Sequence, residues 1–402
     1  MTGPAAGPAA GPATGATAPG AVTITPLHGI PEVGRGDDLA RLLLAAVDRA
    51  GLRLREGDIL AVSSKIVSKA MGLTASPADK EAVVAAETVR VVAERVGASG
   101  MTRIVQGKAG PVMAAAGVDA SNTGGRDLLL LLPHDPDAVC RSLHTAVRAA
   151  TGVREFAVVL TDTSGRPWRE GQIDFALGSH GLRVLDDLRG SHDADGRPLE
   201  VTARAVADEI AAAADLVKGK TAGVPAALVR GLAGSVLPGV DPAGPTPSGL
   251  RPRATMGEET EGASRLVRVG DGDWFALGSQ EAVRAALGVP PGPAPGSVHG
   301  PRPVVGDTTA RRVLRSVEVA FRPHVDPWHR GVTSCGLVTT GDDVPPRVLV
   351  VTGTSAFGVG VVCARLQVAL HGEGVAFDVD PEPTLDAAGS WQVTLTIRDD
   401  AG

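Results

Sequence analysis

The run Thr161-Asp162-Thr163-Ser164-Gly165-Arg166-Pro167-Trp168-Arg169 directly follows the apolar stretch Arg154–Leu160. A strand over that stretch delivers a carboxylate and two hydroxyls to its end, with a glycine turn and two arginines beyond. Carboxylate and hydroxyl oxygens are hard ligands, suited to Mg2+ or Mn2+ carrying nucleotide phosphates. Arg166 and Arg169 can grip a phosphate or carboxylate through paired N–H groups. Asp119 stands in AAAGVDASN, where small residues let a ligand or metal come close. Ser64-Lys65 and Ser68-Lys69 lie four residues apart, so a helix there puts both lysines on one face as a phosphate clamp. His28-Gly29-Ile30-Pro31-Glu32-Val33 leads through Gly36 into Asp37-Asp38, a tight turn before a helix start whose free N–H groups suit an anion. Taken singly, these last three segments read equally as an Asx turn, a solvated basic face and a plain strand–helix connection.

Several chemistries are missing from the sequence. There is no GxxxxGK[ST] loop, no GxGxxG after a strand, no GxSxG elbow and no HExxH pair. Phosphate binding therefore needs a less common architecture. Cys140, Cys335 and Cys363 are far apart with no CxxC, so they read as free thiols of a reducing cytoplasm rather than a disulfide framework or zinc site. A net charge of -6 argues against nucleic acid as the main partner.

The elements that must position these residues alternate in type. Strands are expected at Val22–Leu27, Asp58–Ser63, Thr102–Gln106, Asp127–Leu132, Arg154–Leu160 and Ala226–Val229. Helices are expected from Asp37-Asp38 to near Gly51, and over Ala78–Val96, Pro136–Thr151 and Val201–Val217. This alternation predicts an α/β (α+β) fold with the candidate residues just after strands. Residues 1–21 read as a disordered tail, 22–240 as the main domain, 241–303 as a closing segment with a Pro/Gly-rich linker (PPGPAPGSVHGPRP), and 304–402 as a small α/β C-terminal domain. In that last domain a strand is expected at Arg347–Thr352, a helix at Ala356–Gly372 and a strand at Trp391–Ile397. No signal peptide or membrane span is read, so the expected compartment is the cytoplasm.

Taken together, GIPEVGRGDDL, GDILAVSSKIVSKAMG, AAAGVDASN, TDTSGRPWREGQIDFALGSHGL and ADEIAAAADLVKGK with PAALVRG resemble the coenzyme F420-0:L-glutamate ligase family over about Val22 to Leu232. DWFALGSQEA at Asp273–Ala282 looks like the family's closing segment. The resemblance implies a mixed-sheet ligase domain, a homodimer, GTP as co-substrate, two Mg2+ or Mn2+ ions with K+ as a further ion, and F420-0 and L-glutamate as the substrates joined. It implies that Asp119 and Asp162 ligate one metal and Thr163 the second. It places Ile30, Pro31, Glu32, Val33, Ser64, Lys69 and Asn122 along the GTP site, with Lys218 to Val224, including Gly219 and Lys220, also approaching the nucleotide and metal. Lys65, Arg166 and Arg169 are assigned as catalytic helpers by their chemistry, not by the family pattern.

Met71-Gly72-Leu73, Ser164 and Lys220 depart from that pattern, where an acidic residue with Gly and Arg, an apolar residue and often Gln are usual. A non-catalytic GTP- or F420-binding module is the alternative these departures leave open. A second alternative is a bifunctional ligase and FMN-dependent dehydro-F420-0 reductase. The region after Val304 is about half the length of the nitroreductase-type domain that such an enzyme carries, and it reads as a truncated remnant.

Overall fold

The computed structural model describes residues 20–98, 100–238, 262–268, 273, 275–289, 304–322, 332–338 and 347–398. The N-terminal tail up to residue 19, the stretch 239–261 and the linker 290–303 lie outside the described residues. The chain divides into two compact units. One contains Met1–Ala75 and Asp119–Val267, the other Ser76–Val118 and Arg268–Gly402. The division does not follow chain order.

The first unit is built on a five-stranded sheet in the order Thr23–Pro26, Ala226–Arg230, Ile59–Ser63, Ala157–Arg166, Arg169–His180. Ile59–Ser63 and Ala157–Arg166 run parallel, with Ile59 opposite Ala157 and Ser63 opposite Thr161. The other pairings are antiparallel, so the sheet is mixed and the fold is α/β. Ile59, Leu60, Ala61 and Val62 are all at 0% exposure, as a strand covered on both faces requires. Helix Val206–Lys218 covers one face, setting Val206, Ala207, Ile210 and Ala211 against Ala157, Val159 and Val229.

Local signals set the helix ends. Asp38 accepts from Arg41 N at 3.0 Å and caps Leu39–Arg49, whose buried Ala40, Leu43, Ala46 and Val47 recur at helical spacing. Asp135 caps Pro136–Thr151 with Pro136 in its first turn, and Gly152 ends it at φ 76. Gly178 lets that helix approach the strand Arg169–His180, since a Cβ there would lie 2.5 Å from the Pro136 carbonyl carbon. The helix Pro136–Thr151 and the strand Trp391–Ile397 have the bounds the sequence predicts.

Two expectations are corrected. Ala78–Val96 is not one helix: only Lys80–Glu87 is α-helical, and Thr88–Gly97 is a strand paired with Gly100–Gly107. The β-branched run Thr88, Val89, Val91, Val92 prefers the pleated conformation, and an antiparallel partner follows at once. The apolar run Asp127–Leu132 is strand only at Leu129–Leu130, which pairs with Thr74–Ala75. Its hydrophobicity reflects burial of Leu129, Leu130 and Leu132 rather than a long ladder.

The second unit contains the three-stranded meander Thr88–Gly97, Gly100–Gly107, Val112–Ala114 and a five-stranded antiparallel sheet. In that sheet Val348–Gly353 lies between Val332–Val338 and Trp391–Ile397. Helices Thr309–Ala320 and Ala356–Gly372 share its core, which includes Val313, Leu349, Val351, Val362, Leu366 and Leu395. Arg315 is buried with Asp307 and Glu373, and Arg284 holds Glu373 at 2.6 Å.

In the first unit Asp58, 1% exposed, accepts from Arg230 Nε and Nη2, both at 2.7 Å, and from Arg55 N at 2.8 Å. This pair fixes the end of the sheet where Ile59 and Val229 meet. Asp58→Ala leaves a largely buried guanidinium without its partner, and a loss of about 3–5 kcal/mol is expected in urea unfolding. A loss under about 1 kcal/mol would mean that the pair behaves as a surface ion pair.

Candidate active site

The site grows out of the parallel strand pair. Because Ser63 stands opposite Thr161, the chain leaving the first strand starts its helix beside the continuing strand Ala157–Arg166. Ser63 caps the helix Ser64–Met71, so the Ser-Lys segment is helical. Ser64, 1% exposed, donates its hydroxyl to Asp162 Oδ1 at 2.9 Å. Asp162 and Thr163 do not follow the strand but lie within it, because Ala157–Arg166 continues to a hairpin turn at Pro167-Trp168.

Alternation along the strand sends Asp162 to one face and Thr161 with Thr163 to the other. Both threonines donate to Asp174, which lies opposite Thr163: Thr161 Oγ1 to Oδ2 at 2.9 Å and Thr163 Oγ1 to Oδ1 at 2.6 Å. Lys218, at the end of the helix Val206–Lys218, donates to Asp174 Oδ2 and to Thr161 Oγ1, each at 2.6 Å. Lys220 Nζ donates to Thr163 Oγ1, lies 3.4 Å from Asp174 Oδ1 and 3.9 Å from Asp215 Oδ1.

Asp119 is held in its loop by backbone bonds with Leu130, 3.1 and 2.7 Å. Its carboxylate accepts from Ser121 N at 2.9 Å and Ser121 Oγ at 2.8 Å, and pairs with Lys65 Nζ. Lys65 also donates to Ser121 Oγ at 2.5 Å. Asn122, at φ 55, donates to the Lys220 carbonyl at 3.5 Å. Ala115, Ala116 and Gly117 just before Asp119 have φ of 49, 55 and 76, three successive left-handed residues of a kind that gathers at functional loops.

Lys65 and Lys69 project from one short helix to different carboxylates. Lys69, 6% exposed, donates to Glu32 Oε1 at 2.6 Å, which Arg126 also reaches at 3.3 Å. Ile30 and Val33 are buried and anchor their turn, whereas Pro31 and Glu32 are exposed. Gly219 ends its helix at φ 60. Arg166 and Arg169 face each other at the hairpin turn, and among the described residues neither bonds to Asp119, Asp162 or Thr163. The geometry therefore joins Lys65, Ser64, Asp119, Asp162, Thr163 and Lys220, and leaves the two arginines apart from them.

Sequence reading missed Asp174, the acceptor on which Thr161, Thr163 and Lys218 converge. Its signal was a lone carboxylate in the apolar strand Ile173-Asp174-Phe175-Ala176-Leu177. A charge there needs buried partners.

Burial raises the Asp162 carboxyl to about 6, and the charge of Asp174 adds to the effect, while Ser64, the Thr163 amide and Lys65 pull it down. Burial also acts on Asp119 and Asp174, but Lys65 and Ser121 on the first, and Lys218, Thr163 and Lys220 on the second, outweigh it and hold both below the usual carboxylate range. All three are thus ionised at neutral pH. Among the described residues no group of three or more His, Cys, Asp or Glu is gathered for a metal. The donor chemistry nevertheless fits a hard cation: Asp119, Asp162 and Thr163 offer oxygens only, and ammonium groups already lie on Asp119 and Thr163.

The raised Asp162 value fixes a sign. Its protonated form is favoured in the fold, so its contribution is fully present below 3.8 and is lost as pH rises through about 6. Asp162→Asn keeps an acceptor for Ser64 and removes the charge. The variant is expected to melt higher than the parent at pH 8 without metal, with the gain vanishing near pH 4. A lower melting temperature at pH 8 contradicts this assignment.

The description F420-0:Gamma-glutamyl ligase matches residues 29–231. A coenzyme F420:L-glutamate ligase of Haloarcula marismortui is 41% identical over 225 residues, 51% of this chain and 85% of the relative. Its counterpart in Methanothermobacter thermautotrophicus is 38% identical over 229 residues, covering 52% and 89%. That of Archaeoglobus fulgidus is 39% identical over 226 residues, covering 52% and 88%. The match spans four of the five strands of the sheet, all but Thr23–Pro26, with the Ser-Lys helix, Asp119, Asp162, Thr163 and both lysines of the Lys218–Lys220 segment. The chain belongs to the F420-0:gamma-glutamyl ligase family.

Proposed function

We propose that this protein joins L-glutamate to coenzyme F420-0 in an amide bond at the expense of GTP. The observation that carries the reading is the convergence of Asp162, Thr163 and Asp119 with Ser64, Lys65 and Lys220 in a chain of this family. The named activity of the curated relatives supports the ligation. GTP, the divalent cations and the order of steps rest on the site's chemistry and the resemblance.

A carboxylate does not acylate an amine at neutral pH without activation. In this reading a carboxylate oxygen of F420-0 attacks the γ-phosphorus of GTP, forming an acyl phosphate and releasing GDP. The amine of glutamate then attacks the acyl carbon, phosphate leaves, and the amine gives up a proton as the amide forms. All three substrates are anionic, and lysine ammonium groups lower the cost of gathering them. Asp119, Asp162 and Thr163 would hold the divalent cations, whose chemistry there would be charge neutralisation on the phosphates. Lys65, bonded to Asp119 and Ser121, would offer its ammonium to a phosphate oxygen. Ser64 orients Asp162, and the exposed Glu32 and Pro31 border the GTP side together with Lys69 and Asn122. No helix among the described residues is long and apolar enough to cross a membrane. A cytoplasmic homodimer is part of the same reading, checked by a sedimentation mass of twice 40.7 kDa.

The test combines purified protein with F420-0, GTP, L-glutamate and Mn2+, followed by mass spectrometry, with Asp162→Ala in parallel. One or more glutamyl additions are expected, lost in the variant along with at least about 100-fold in rate. Nucleotide binding without product points instead to a non-catalytic binding module. Stoichiometric FMN in the purified protein would support the bifunctional reading.

A further inference from the structure

Asp174 is 3% exposed, and both of its oxygens are engaged: Oδ2 by Thr161 at 2.9 Å and Lys218 at 2.6 Å, Oδ1 by Thr163 at 2.6 Å. Lys218 is equally buried, at 3% exposure, and its ammonium is shared between Asp174 and Thr161. A threonine hydroxyl has one hydrogen and two lone pairs, and its hydrogen goes to whichever acceptor is fixed nearest. With that hydrogen committed to Asp174, the remaining valence of Thr163 Oγ1 is acceptor-only. The group on its open side is Lys220 Nζ, a cation on a half-exposed side chain that also has Asp174 Oδ1 at 3.4 Å and Asp215 Oδ1 at 3.9 Å. The hydroxyl therefore already presents its lone pairs to positive charge.

We infer that Asp174, neutralised by buried Lys218, is a positioning residue that takes the Thr163 hydroxyl hydrogen and so makes Thr163 a lone-pair donor to the divalent cation, with Lys220 displaced toward Asp215. The inference rests on the reading that Thr163 meets a cation. Asp174 is not itself assigned as the ligand, because Oδ2 is taken by Thr161 and Lys218 and Oδ1 by the Thr163 hydroxyl. Groups that orient a metal ligand in this way affect affinity by about 10–100-fold.

The probe is Mn2+ alone, titrated into the full chain and followed by electron paramagnetic resonance of the free ion. Asp174→Leu with Lys218→Met removes the acceptor for the Thr163 hydrogen and both buried charges together, so no unpaired ion is left in the core. This double variant is expected to bind Mn2+ about 10–100-fold more weakly, and adding Thr163→Ala to it is expected to cost nothing further. Thr161→Val, which removes the other hydroxyl on Asp174, is expected to leave Mn2+ binding within about twofold, a result that a merely structural role for the cluster would not give. If the double variant does not fold, Asp174→Glu keeps the charge for Lys218 and shifts the acceptor by one methylene, and the same weakening is expected. A folded double variant or Asp174→Glu with parental affinity, while Thr163→Ala alone weakens binding, overturns the positioning role and leaves the cation reading standing. Parental affinity in Thr163→Ala itself removes the cation from Thr163, and the inference falls with it.

Discussion

The parallel pairing of Ile59–Ser63 with Ala157–Arg166 is the constraint on which the first unit depends. Parallel strands need a long crossover, and here everything from Ser64 to Phe156 lies between them, including Asp119 and the whole of Ser76–Val118. The register decides which atoms meet. With Ser63 opposite Thr161, the first residue of the following helix lies beside Asp162, and Ser64 donates to it. A slip of one residue would turn Asp162 to the face now held by Thr161 and Thr163. Antiparallel pairing on the far side then sets Asp174 opposite Thr163.

The charges around this frame are unevenly settled. Asp174 has two lysines, Asp119 has Lys65, and Glu32 has Lys69 and Arg126. Asp162 has no ion pair among the described residues, only the Ser64 hydroxyl and the Thr163 amide, and burial raises its carboxyl to about 6. A half-buried acid left without a counter-charge at the meeting point of strand and helix is a position where the fold accepts a local cost. The lysines close by are bonded to other acids, and the charge of Lys65 offsets part of the burial at Asp162.

Much of this was legible in the residues. Asp38 and Asp135 mark helix starts, Gly152 marks an end, and the apolar runs Ile59–Val62 and Ala157–Leu160 mark the central strands. Asp162, Thr163 and Lys65 stood out because carboxylate, hydroxyl and ammonium groups clustered after such runs. The hairpin defeated two readings: the strand continued past Thr163, and Arg166 and Arg169 were carried to its tip. Ala-, Val- and Glu-rich Ala78–Val96 satisfies helix and strand patterns in turn, and only pairing with Gly100–Gly107 decides at Thr88. Asp174 was invisible to motif reading because its role exists only in the fold, in partners eleven to forty-six residues away.

The second unit is discontinuous, and this bears on how the gene can be cut. Residues 76–118 sit inside the family match yet hold their partners further along the chain: Val96 bridges Val304, Gly278 N donates to Val92 O at 3.0 Å, and Arg95 pairs with Glu281 at 2.5 Å. A shortened clone stopping near residue 240 would retain every residue of the candidate site while stripping the meander of these contacts. It would expose the edge of Thr88–Gly97, a β-rich surface open to pairing between chains. A minimal active fragment is thus better sought by loop replacement of 76–118 together with the C-terminal half than by a stop codon, since the two pieces were folded as one.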